Sequence, residues 1–106
     1  MENLNRVELI GRIGVANIIS VGEVRVAHFS VATNFAYKGR NGEHVIETTW
    51  HNVMALEGKS TRNLDSICKG ACVHVVGRIR AQRYSGSDGS ERISYEVLAE
   101  KVEMLS

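Results

Sequence analysis

Apolar residues fall at every second position through most of this chain, and that period is the mark of half-buried strands. In RVELIGRI, Val7, Leu9 and Ile13 share one face while Arg6, Glu8 and Arg12 take the other. In VRVAHFSVATNF the inner set is Ala27, Phe29 and Val31, with His28 and Ser30 opposite. A third strand is expected from His44 to Leu56, and a fourth through ACVHVVGRIRAQRY with Val73, Val75 and Ile79 inward. A fifth runs through RISYEVLAEKVEML, where apolar residues occur at both parities and leave the inner face open. KGRNGE carries Asn-Gly, the strongest short hairpin signal, and SGSDGSE is a longer glycine-rich loop.

Only KSTRNLDSICKG has a helical stripe. Ser60 or Thr61 would cap it, Leu64, Ile67 and Cys68 would face inward, and Gly70 would end it. Five strands with one helix between the third and fourth is the order of an OB-fold, an all-β Greek-key barrel. The 106 residues suit one such domain, expected to span 1–106.

No stretch approaches the roughly 20 apolar residues that span a bilayer, and MENLNRVELIGRIG lacks the apolar core of an export signal. A cytoplasmic protein without a membrane partner is the expectation. Cys68 and Cys72 are then expected to be reduced, buried thiols. With His74 they make three candidate ligands across a strand boundary, too few for a structural zinc site, so neither a metal nor a cofactor is expected. The four histidines are scattered along strands, with no nucleophile motif or P-loop, which argues against an enzyme. Thirteen Lys and Arg against twelve Asp and Glu leave a charge of +1, but the charge is segregated. Arg78 to Arg83 holds three arginines and no acid, whereas the segment from Glu91 onward holds four glutamates.

The lone tryptophan stands in ETTWHNVMAL. Trp50 shares strand parity with Thr48, Asn52 and Met54, while His51, Val53 and Ala55 take the other face. Alternation alone divides evenly between an exposed ring and one tucked under a loop or a subunit contact. Tyr84 ends a basic strip through Arg78, Arg80, Gln82 and Arg83, and Tyr37 adjoins Lys38 at the Asn-Gly hairpin. Flat rings stack on bases and cations follow phosphates, the combination that single-stranded nucleic acid requires. Phe29 and Phe35 are assigned to packing, and Tyr95 is left open.

These segments resemble the bacterial single-stranded DNA-binding protein family over almost the whole chain. NRVELIGRIG is similar to its opening strand, FSVATNFAYKG to its second strand and hairpin, TTWHNV to its Thr-x-Trp-His segment, and KGACVHVVGRIRAQRY to the strand ending in an aromatic. The resemblance implies an OB-fold that binds single-stranded DNA without sequence preference and assembles as a homo-oligomer, usually a tetramer, with a dimer as the lesser form. It puts Trp50, Tyr37 and Tyr84 at stacking positions and His51 near a subunit contact. Arg78, Arg80, Lys59, Lys38 and Arg83 are the phosphate candidates, and Arg6 and Glu8 on the first strand join His51 as interface candidates.

The departures are specific. Leu56-Glu57-Gly58-Lys59 replaces an aromatic before Gly-Lys, placing a carboxylate there. The link GVANIISVGEV lacks the family's Asp-Pro turn, and tyrosine replaces tryptophan at two stacking positions. The family's acidic recruiting tail has no counterpart in this sequence, which leaves either a truncated chain or a short form, with replication or repair proteins as lesser partners. Glu57 also keeps open a tail-less primosomal module that docks replication-restart proteins and touches DNA weakly. RNA as the ligand stays open too.

Overall fold

The computed structural model describes residues 2–58 and 63–105. Five strands make one closed barrel: β1 (Val7–Val21), β2 (Val24–Lys38), β3 (His44–Leu56), β4 (Cys72–Ser85) and β5 (Glu91–Met104), in the order β1-β2-β3-β5-β4. Every pairing is antiparallel except that of β3 with β5, which is parallel and limited to Val53↔Val97 and Met54↔Leu98. The chain is therefore all-β with the closed barrel of an OB-fold.

β1 holds the barrel shut by serving two neighbours. It pairs with β4 from Val7 to Arg12 and with β2 from Arg12 to Val21, and its register with β2 slips between Ile13 and Ala16. The slip frees the Val15 N–H from the ladder, and it donates instead to Ser30 Oγ at 3.0 Å. Most of GVANIISVGEV is thus strand rather than link, turning into β2 through Gly22-Glu23.

A second slip explains the mixed parity of β5. Val76 pairs with Lys101 and Gly77 with Ala99, so Glu100 is skipped and the strand changes face. Val97 before the slip and Val102 after it both reach the core. Gly77 permits this because a Cβ there would collide with the carbonyl oxygen of Leu98.

The core is the inner set expected from alternation: Leu9, Ile13, Ala27, Phe29, Val31, Val53, Ala55, Val73 and Val75 are all buried. Ile79 departs from it. It keeps the parity of Val73 and Val75 but is 46% exposed, because β1 covers β4 only as far as Gly77. The expected helix also departs. Among the described residues it is a 3-10 turn at Leu64–Ser66, and the candidate caps Ser60 and Thr61 lie outside them. Ile67 is already extended at φ −77° and ψ 99°, so Leu64 and Ile67 plug the barrel end while Cys68 is turned out to solvent.

Beyond the barrel two ribbons continue as arms. Thr33–Lys38 pairs only with His44–Thr49, and Ile79–Ser85 only with Glu91–Val97 apart from the single Val53 pair. The radius of gyration is 16.1 Å, against about 13 Å for a compact chain of this length, as two projecting arms require. Phe35, assigned to packing from the sequence, is 67% exposed for this reason: its ribbon has no layer opposite it. Phe29, inside the barrel, is buried.

Candidate nucleic-acid interface

The parallel β3–β5 contact decides where the aromatics go. Both strands run from an arm tip toward that contact, so both arms leave the barrel at the same end. At about 3.3 Å per residue, Trp50 stands about 10 Å before Val53, and Tyr37, paired with Val45, about 26 Å before it. Tyr95 stands about 7 Å before Val97, and Tyr84, paired with Arg92, about 17 Å before it. Between the arms lies a depression with Trp50 on one wall and Tyr95 on the other.

Trp50 is held out from the barrel core rather than tucked under a loop. It is 58% exposed, on the outer face of β3 opposite Ala32. Its six-membered ring lies over Gly14 at the bend of β1, where a Cβ would stand 2.7 Å from Cη2 and closer still to Cζ3. Across the cleft, Trp50, His51 and Asn52 share one depression with Ile79, Tyr95 and Glu96. Tyr95 is 64% exposed. Its strand was legible, but only the β3–β5 contact, invisible to local pattern, brings it opposite Trp50.

The structure does not gather all three expected stacking rings on one surface. Tyr37 has the opposite parity to Trp50 on the β2–β3 ribbon, and its ring centre lies 6.1 Å from that of Phe35 at an interplanar angle of 31°. Tyr84 is half exposed near the other arm's tip, beside Arg83 and Ser85.

The basic residues divide by partner. Arg80 Nη2 donates to Glu96 Oε1 at 2.5 Å, and the Glu96 side chain is only 11% exposed. Arg80 Nε is buried and unpaired. Arg83 lies 3.4 Å from Glu91, both well exposed. Arg78 and Lys38 are exposed and make no ion pair among the described residues. Lys59 lies outside the described residues. Glu57 is not a free carboxylate at the cleft, because Arg25 donates to it from Nε at 3.1 Å and Nη2 at 2.5 Å, and also reaches Asp65. The Arg25 guanidinium holds the Glu57 carboxyl below its ordinary range.

Of the interface candidates, His51 lines the cleft beside Trp50, whereas Glu8 lies on β1 and Arg6 just before it. Glu8 Oε2 is hydrogen-bonded to His74 Nε2 at 2.6 Å, with Glu103 Oε2 3.7 Å from the other ring nitrogen. Beside them Ile10 is 62% exposed on β1, and Arg6 is exposed. His51 Nε2 is bonded to Thr33 Oγ1 at 2.8 Å, half-buried on the inner side of the ribbon. Among the described residues, no three His, Cys, Asp or Glu side chains gather to hold a metal, and no helix is long and apolar enough to cross a membrane.

The single-strand binding protein family matches residues 4–105. The chain is 38% identical, over 97% of its length, to the single-stranded DNA-binding protein of Neisseria meningitidis serogroup A, and 29% identical over 96% to that of Xanthomonas axonopodis pv. citri. It spans about 60% of the length of these curated relatives. Among solved structures it matches a Plasmodium falciparum SSB in complex with ssDNA, with a TM-score of 0.82 and 27% identity, over 100% of this chain and 98% of that one. A Thermus aquaticus single-stranded DNA-binding protein, at 22% identity and a TM-score of 0.74 over half its length, shares the fold. The chain belongs to the single-strand binding protein family.

Proposed function

We propose that this chain binds single-stranded DNA, largely without regard to sequence, by stacking bases on Trp50 and the neighbouring arm aromatics. The observation that carries this is the Trp50 ring, 58% exposed and seated on Gly14 beside a cleft whose other wall carries Tyr95. A ring so placed costs little to offer, because it is already ordered before a base arrives. Tyr84 and Tyr37, with Phe35 beside the latter, offer further exposed rings on the arms, on faces other than that of Trp50 and Tyr95. Arg78, Lys38 and Arg83 supply phosphate contacts. Arg80 contributes less to phosphate binding than its charge suggests, since Glu96 already occupies it. The likeness to an SSB solved with ssDNA, at 27% identity over the whole chain, supports the same reading.

The protein is proposed to act as one OB domain in the cytoplasm, covering single strands during replication, recombination or repair, with no chemistry of its own. It assembles as a homo-oligomer, a tetramer by family analogy, through β1 and its exposed Ile10, with Arg6, Glu8 and His51 near the contact. The docking-module reading loses its main support, because Glu57 is bound to Arg25 rather than presented at the cleft. The test is titration with a thymine oligonucleotide at low and high salt, following Trp50 emission. Quenching, with affinity falling about 0.7 log units per phosphate contact per decade of salt, is expected. Absence of both quenching and binding by anisotropy would overturn the reading.

A further inference from the structure

The outward face of the sheet formed by β1, β4 and β5 carries a charged cluster that the stacking rings do not use. Glu8↔Val76, Ile10↔His74 and Arg12↔Cys72 pair across β1 and β4, and His74↔Glu103 and Val76↔Lys101 across β4 and β5. Directly paired residues share one side of a sheet, here the side opposite the buried Leu9, Val73, Val75 and Val102. His74 stands at the centre with a carboxylate at each ring nitrogen: Glu8 Oε2 lies 2.6 Å from Nε2, and Glu103 Oε2 3.7 Å from Nδ1. The other charges of this parity are Arg12, which donates to the Gly70 carbonyl, Lys101, 4.0 Å from Glu103, and Arg6, just before β1.

This arrangement suits one charge state of the ring. A neutral imidazole has one N–H and one lone pair, so it donates to one carboxylate and turns its lone pair on the other. An imidazolium donates to both. In water the mismatch costs little, because each carboxylate is 52% exposed and solvent screens it. Under another protein surface it costs far more, since a desolvated carboxylate needs a donor. A second copy of this chain is the cover the face fits. Ile10 is 62% exposed at its middle, with Glu8 and Arg12 two residues to either side. In an antiparallel two-fold contact centred on Ile10, Glu8 of one protomer meets the partner's Arg12.

We propose that self-association through this face is linked to protonation of His74: each Glu8–His74–Glu103 cluster takes up a proton as it is covered, so the assembly tightens as pH falls through the histidine range. This rests on the homo-oligomer reading and adds a control to it. Histidine is the side chain that ordinarily changes charge between about pH 5 and 8. The covered cluster holds its proton more tightly than the exposed one, so separate protomers carry fewer protons and acid favours the assembly. A two-fold contact brings two such clusters together, and uptake at both changes the association constant by at most about a hundredfold per pH unit.

The test is sedimentation of the fluorescently labelled full chain, diluted until monomer appears, at about pH 5.5 and about pH 8, between which histidine changes charge while Asp and Glu stay largely ionised. Wild type is expected to associate at least about tenfold more tightly at the lower pH. His74→Gln, which cannot take the proton, should lose that difference. Glu8→Gln/Glu103→Gln, which leaves no carboxylate to satisfy, should lose it too, and it decides the matter if His74→Gln melts early. Equal constants at the two pH values in wild type would overturn the linkage while leaving self-association intact. So would a difference that survives in His74→Gln, since it would belong to His28, His44 or His51. A chain that stays monomeric at every concentration and pH would instead remove the self-association on which the linkage rests.

Discussion

The indole of Trp50 lies against the α-carbon of Gly14, and the residue without a side chain is what gives the ring its seat. Gly14 sits where β1 bends from one neighbour to the other. Closing the barrel and ordering the stacking ring therefore depend on the same few residues. Gly14→Ala should push the ring off its seat and weaken single-strand binding roughly fivefold, about 1 kcal/mol, with Trp50 emission altered. In a Trp50→Phe background the atoms that collide with the new methyl are gone, so Gly14→Ala should then be nearly silent. A binding cycle over the four proteins measures this coupling; equal losses in both backgrounds would contradict it.

Trp50→Ala itself should cost about 1–3 kcal/mol of binding, roughly 5- to 150-fold. The fold should barely notice, since more than half of the side chain is already in water. Thermal melting and anisotropy on one preparation separate the two effects. A large drop in melting temperature would make the ring a packing residue.

Two arginines of the same strip should behave differently. Arg78→Ala should lower the magnitude of the salt slope by about 0.7 and leave melting unchanged, as for an exposed phosphate contact. Arg80→Ala leaves the nearly buried Glu96 carboxylate without its partner, so its main effect should be lost stability. Melting and salt titration of both variants check this; a pure salt-slope change in Arg80→Ala would show that Glu96 does not hold it.

The strands were legible because a barrel needs one apolar face, and a period of two records it. Trp50 was readable only as one of two parities, and the choice required knowing that Val53 and Ala55 are core. Ile79 and Phe35 misled because alternation continues along an arm after the covering strand has ended. Tyr95 was undecidable because its neighbour across the cleft is set by a two-residue parallel contact between strands separated by a third. Both arginine pairings, Arg25 with Glu57 and Arg80 with Glu96, join distinct strands or segments and carry no local signature.

The Arg25–Glu57 contact predicts an acid limb of stability. Hydrogen bonding to Arg25 lowers the Glu57 pKa from the ordinary 4.5, so the folded state holds the carboxylate more strongly than the unfolded chain does. The contribution is complete at neutral pH, begins to fade as pH falls below about 4.5, and is gone below the folded-state value. Melting temperatures of wild type and Glu57→Gln should therefore differ at neutral pH and converge in acid. A gap that persists or widens in acid would assign the difference to something other than this carboxylate.

Gly77 should be the least replaceable residue in β4. Its backbone faces the Leu98 carbonyl at the slip that lets both Val97 and Val102 reach the core. Alanine there must either push β5 away or remove the slip, and removing it turns Val102 or Val97 out to water. Losing one buried valine costs about 1.5–3 kcal/mol before any strain, a large share of the stability of a domain this small. Gly77→Ala should accordingly melt far below wild type, whereas Ala81→Gly on the exposed arm should cost under about 1 kcal/mol. Chemical denaturation of the two variants compares them directly, and a Gly77→Ala protein as stable as wild type would show that the strands pass each other with room to spare.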